Sequence, residues 1–104
     1  MDNEVKIDFL SPDIQKSEYN WANITVGNDR VGKARCHIND NELIIYSINV
    51  FPEFEGNGYA SRFIEEAKKQ YPVIIADRVR ATAIGFWEKM KFVKREDGNW
   101  IYSK

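Results

Sequence analysis

The chain has 104 residues, 43% of them hydrophobic, with six Phe, five Tyr and three Trp, which supports one folded core and leaves no length for a second domain. Its 15 basic and 16 acidic residues give a formal charge of −1, which excludes a general attraction to nucleic acid or an anionic membrane. No apolar run approaches the ~20 residues needed to cross a bilayer.

The start, Met1-Asp2-Asn3-Glu4, has neither the basic nor the apolar part of a signal peptide. The single cysteine, Cys36, forms no internal disulfide and fits a reducing, cytoplasmic setting. Val5, Ile7 and Phe9 alternate with Lys6 and Asp8, a half-buried strand. Residues 11–19 read as a loop or one helical turn. Trp21, Ile24 and Val26 belong to a second strand, closed by the turn Gly27-Asn28-Asp29. A third strand runs from about Arg30 to Ile38, before the turn Asn39-Asp40-Asn41. The fourth, Glu42 to Val50, is apolar at nearly every position, as expected of a central strand covered on both faces.

From Gly58 to about Gln70 the pattern is helical, with Tyr59, Phe63, Ile64 and Ala67 on one face. Pro72 ends it, and Val73-Ile74-Ile75-Ala76 is a short buried strand. Strand, helix and strand predict a right-handed crossover and a parallel pair. A second helix, about Ala81 to Met90, buries Ala83, Trp87 and Met90. Phe92–Lys94 and Trp100–Tyr102 are strands joined by the turn Glu96-Asp97-Gly98-Asn99. The fold class is therefore α+β, a mixed, mostly antiparallel sheet of order β-β-β-β-α-β-α-β-β in one domain over residues 1–104. Lys89, Lys91, Lys94 and Arg95 read as a solvated edge.

The segment Glu55-Gly56-Asn57-Gly58-Tyr59-Ala60-Ser61 carries the chemistry. It lies between a β-branched strand and a helix start, where glycines admit a phosphate close to the backbone and free N–H groups face it. It resembles the pyrophosphate loop of the GNAT superfamily, the acetyl-CoA-dependent N-acyltransferases, written Arg/Gln-x-x-Gly-x-Gly/Ala. Gly58 and Ala60 match, and Glu55 replaces the leading Arg/Gln. About 25 residues on, Arg80 to Phe92 is similar to the family's Asn-x-x-Ala-x-x-Phe-Tyr-x-Lys-x-Gly-Phe. Ala83, Phe86, Lys89 and Phe92 match; Arg80, Trp87 and Lys91 replace Asn, Tyr and Gly. The two helices that the family usually places between its first and second strands have almost no room in residues 11–19.

The resemblance implies transfer of acetyl from acetyl-CoA to a primary amine, with no metal. The fourth and fifth strands should splay, and the pantetheine arm should pair with backbone around Ile48 and Val50. The diphosphate should meet N–H groups from Gly56 to Ser61, with Arg80 as a further contact. Glu55 should point to solvent or pair with Arg62, Arg78 or Arg80. Glu42 is the first candidate general base and Asp77 the second, both with a solvated strand end as the plain alternative. Trp87 occupies the position where many members carry a proton-donating Tyr, and an indole N–H is no general acid near neutral pH. Water, Tyr46 or Tyr59 could substitute, or the chain binds CoA without catalysis. An open acceptor side would favour a protein or peptide amine over a small one, and either a monomer or a homodimer is compatible. His37 and Cys36 lack a partner at metal-ligand spacing and read as structural.

Overall fold

A computed structural model describes residues 4–10 and 18–104. Seven strands, β1 (Val5–Phe9), β2 (Asn20–Val26), β3 (Asp29–Asn39), β4 (Glu42–Val50), β5 (Val73–Ala76), β6 (Val93–Lys94) and β7 (Trp100–Ser103), form one sheet. Its order is β1-β2-β3-β4-β5-β7-β6. Every pairing is antiparallel except β4 with β5, which helix α1 (Tyr59–Gln70) connects. This is the predicted mixed, mostly antiparallel α+β sheet. The interval between β1 and β2, where the family's first two helices would stand, falls largely outside the described residues.

Alternation on the strands builds the core. Ala22 and Ile24, Ala34 and Cys36, Leu43 and Ile45, and Ile74 and Ala76 are all buried, as are Phe63, Ile64 and Ala67 of α1. Ala22, Ala34, Ala67 and Ala76 are fully buried, small side chains that let backbones approach closely. Gly32 serves the same end between β3 and β4: a Cβ there would stand 2.4 Å from the Asn49 carbonyl oxygen.

Two sequence expectations change. The fourth strand is not covered on both faces throughout: Leu43 and Ile45 are buried, but Ser47 and Asn49 are exposed. The first half of the strand lies against the core; from Ile45 to Ile48 it borders a cleft. The second helix is shorter than expected, a 3-10 turn (Ala81–Ala83) followed by α2 (Ile84–Lys89). Ala83 N–H donates to the Arg80 carbonyl at 2.9 Å, the tighter i→i+3 pattern common at helix starts. Trp87 and Met90 are buried as expected, whereas Ala83 is half-buried. Lys68 of α1 donates to the Met90 carbonyl at 2.6 Å and stands 4.5 Å from the Tyr102 ring centroid, tying α1 to the end of α2.

Candidate active site

The parallel pair β4–β5 is registered only from Glu42 opposite Val73 to Ile45 opposite Ala76. One further bond, Asp77 N–H to the Ile45 carbonyl at 2.9 Å, marks the end of contact. Beyond it the strands part. On its other side β4 stays paired with β3, Ile48 opposite Ala34 and Val50 opposite Gly32. The register slips between Arg35 and Cys36, so that Tyr46 is the extra residue of a bulge at the point of parting.

The opening is a cleft of about 400 Å³. Ser47 and Ile48 line it from β4, Ala60 from α1, and Ala83, Phe86 and Trp87 from the second helical segment. Both motifs singled out in the sequence therefore border one cavity. In the turn that leads into α1, Gly56 and Gly58 have φ of +84° and +74°. A Cβ at either would meet nothing within 4 Å, so it is the left-handed backbone, not crowding, that requires glycine. Gly58 is the N-cap of α1, and no side chain caps the helix there. The N–H groups of Tyr59, Ala60 and Ser61 thus have no carbonyl within the helix, and the first helical bond is Arg62 N–H to Gly58 at 3.1 Å. Asn57 steadies the turn by donating its amide to the Phe54 carbonyl at 2.9 Å.

A second, larger and more polar cavity of about 660 Å³ adjoins the first. Tyr46, Asp77, Arg78 and Arg80 border both. Burial, with the Asp77 carboxylate as the next cause, raises the pKa of the Tyr46 hydroxyl above its ordinary value, so it stays protonated at neutral pH. The Arg35 guanidinium, which lines only this second cavity, stands 4.9 Å from the ring centroid of Tyr19 and 5.7 Å from that of Tyr46.

The other sequence candidates divide clearly. Glu42 stands at the far end of β4, between Asn39 and Val73, and lines neither cavity. Asp77 lines both. Glu55 is exposed in the turn, while Arg78, one of its expected partners, instead reaches Asp77 at 3.7 Å. Val50 lies outside the cleft lining, and Ile48 inside it. Trp87 is buried, its ring 5.0 Å from Phe86 and 4.8 Å from Phe92. Cys36 is fully buried and burial pushes its thiol up to about 12. Among the described residues no group of His, Cys, Asp and Glu could hold a metal ion, and no helix is long and apolar enough to cross a membrane. Sequence reasoning missed Tyr19 and Arg35, whose only signal was a charged residue on the outward face of a strand.

Several solved acetyltransferases resemble this chain in overall fold. The Bacillus subtilis N-acetyltransferase YlbP in complex with coenzyme A is 18% identical with a TM-score of 0.68, over 96% of this chain and 97% of that one. A GNAT family acetyltransferase from Elizabethkingia anophelis with acetyl-CoA bound is 13% identical at 0.69, over the whole of both chains. An acetyltransferase from Thermus thermophilus is 9% identical at 0.71, also over both whole chains. These likenesses concern the fold. No curated protein matches the sequence. The model of the acetyltransferase (GNAT) family matches residues 2–92, and the chain belongs to that family.

Proposed function

We propose that this chain passes acetyl from acetyl-CoA to a primary amine, and that a peptide or protein amine is preferred to a small free one. The observation that carries the reading is the parting of β4 and β5 beyond Ile45, beside a turn whose two left-handed glycines open onto an uncapped helix. The residues present suit the cosubstrate. The N–H groups at the start of α1 favour a diphosphate, aided by the positive end of the helix dipole. Backbone of β4 released by the parting, around Ile48, suits the amide-bearing arm. Arg80, at the rim, suits a phosphate contact.

Acetyl-CoA supplies an activated acyl carbon and a thiolate leaving group. The protein must provide the rest. An amine arrives as an ammonium ion and attacks only after losing a proton; Asp77, bordering both cavities, attracts the cation and accepts the proton directly or through water. Glu42, on the far end of β4, is the weaker candidate. Cleft-side N–H groups of β4 suit the developing oxyanion. The Tyr46 hydroxyl, held protonated, suits the departing sulfur and replaces the phenol that Trp87 lacks. The breadth of the second cavity, about 660 Å³, favours an acceptor that brings binding surface of its own. The buried free thiol fits a cytoplasmic site of action.

A second reading, CoA binding without turnover, is favoured by Trp87, whose indole is packed in the core and cannot act as an acid. Incubation with acetyl-CoA separates the two. Thermal stabilisation by CoA with amine-dependent CoA release is the expected result. Stabilisation with no release from any peptide or protein amine would leave the binding module, and no stabilisation would remove both readings.

A further inference from the structure

The second cavity brings three arginines and one histidine, Arg35, Arg78, Arg80 and His37, against two carboxylates, Glu18 and Asp77. Arg78 already pairs with Asp77 at 3.7 Å. That leaves Arg35 and Arg80 against Glu18, an excess of one cation. Arg35 is the better held of the two. Its guanidinium is packed by the Tyr19 and Tyr46 rings, which themselves lie 5.5 Å apart. Its Nε is buried with no hydrogen-bond partner among the described residues. A buried donor without a partner is unfavourable and calls for an explanation. A guanidinium held by aromatic rings keeps its in-plane fork for a planar anion, and carboxylates fit that fork in a bidentate manner.

Position adds direction. Arg35 on β3 is opposite Ser47 of β4, and Asp77 follows β5 on the other side of β4. The two backbones are two strand spacings apart, about 10 Å. Long side chains on an acceptor can span that interval, presenting an amine to Asp77 and an anion to Arg35.

We propose that the acceptor carries a carboxylate close to its reacting amine, recognised by Arg35 in the lining of the polar cavity. The proposal rests on the acetyl-transfer reading for the identity of the amine, and on the Arg35 cluster alone for the carboxylate. The source is either an acidic neighbour in a peptide or the α-carboxylate of a free amino acid; the shared chemistry is the carboxylate beside the amine.

The test compares four acceptors at fixed acetyl-CoA. They are a pentapeptide with lysine between two glutamates, the same peptide with alanines in their place, free alanine, and alanine with its carboxylate amidated. In the wild type one carboxylate-bearing member exceeds its neutral counterpart in kcat/KM by about tenfold or more, the scale of a charge-assisted hydrogen bond. The peptide pair and the free pair identify the source. In Arg35→Gln that ratio falls to about two or less while CoA still raises the melting temperature as in the wild type, which shows that the variant is folded. Arg35→Lys, which keeps charge but not the fork, gives an intermediate ratio. Equal turnover of acidic and neutral members, or a ratio that survives Arg35→Gln, overturns the proposal. If no acceptor is turned over, calorimetric binding of the two peptides to the CoA-saturated protein decides. A preference for the acidic peptide that Arg35→Gln removes keeps the carboxylate site and rejects transfer; no preference rejects the site.

Discussion

The rings of Trp87 and Phe92 lie 4.8 Å apart, and the Phe92 N–H donates to the Trp87 carbonyl at 3.0 Å. With Lys91 N–H to the Glu88 carbonyl, also 3.0 Å, these form a Schellman motif that closes α2 and includes its apolar contact. The motif needs a left-handed residue between them. Lys91 fills that place at φ +71°, where the family pattern has glycine.

Lys91→Gly should therefore stabilise the protein, by about 0.5–1 kcal/mol, since a side chain in the left-handed region costs more than glycine's extra unfolded-state freedom. Lys91 is exposed, so no packing is lost. Urea denaturation measures the change. An unchanged or lower midpoint would show that the lysine side chain compensates for the strain.

The Gly-Phe end of the family pattern is thus a helix-stop device as well as a signature, which explains why the sequence made this region legible despite its substitutions. The β4–turn–α1 unit was legible for a similar reason: a β-branched run, two glycines and a 3.6-residue pattern each act locally. The half-open state of β4 was not. Its apolar residues Ile48 and Val50 read as doubly buried, whereas they lie beyond the end of β5, a non-local fact fixed at Ala76 and Asp77. The Tyr19–Arg35–Tyr46 cluster was equally hidden, because it joins residues 16 and 11 positions apart through strand register and a bulge.

At the turn, charge and strain separate with two variants. Gly58→Asp and Gly58→Asn both force a side chain into φ +74°, and Asn tolerates it about as well as Asp does. Only Asp adds a negative charge where a diphosphate is expected. The Asp variant should lose CoA-dependent thermal stabilisation and the Asn variant should keep part of it. Equal retention in both would move the phosphate site elsewhere.

Cys36 makes stability depend on alkaline pH. Its thiol is raised from 9.0 to about 12 by burial, so the unfolded chain ionises first as pH rises. Its contribution is complete below pH 9 and is lost between 9 and 12, at a slope approaching about 1.4 kcal/mol per pH unit. Urea denaturation at about pH 8, 9.5 and 10.5, spanning the onset of that window, should show a smaller decline in Cys36→Ala than in the wild type. The native thiol should also resist iodoacetamide at the lowest of these pH values and react in denaturant.

Tyr46→Phe removes the hydroxyl and keeps the ring against Arg35. If that hydroxyl assists the departing sulfur, kcat should fall by about 10²-fold, within the range for positioned proton donors, with CoA-induced stabilisation intact. A rate close to wild type would assign the leaving group to water.

The general base is tested by a pair of isosteric changes on the two edges of the β4–β5 contact. Asp77 lies where the strands part and borders both cavities; Glu42 lies at the paired end and borders neither. Asp77→Asn preserves shape and removes proton acceptance, so acetyl transfer should fall by about 10²–10⁴-fold while CoA still stabilises the protein. Glu42→Gln should leave transfer within about twofold. The pH profile adds a second discriminator: with Asp77 absent, transfer should rise with pH as the free amine fraction grows, because only solvent then removes the proton. If Glu42→Gln instead abolishes transfer and Asp77→Asn does not, the acceptor amine must approach from the far end of β4, and the polar cavity beside Arg35 would lose its role in the reaction.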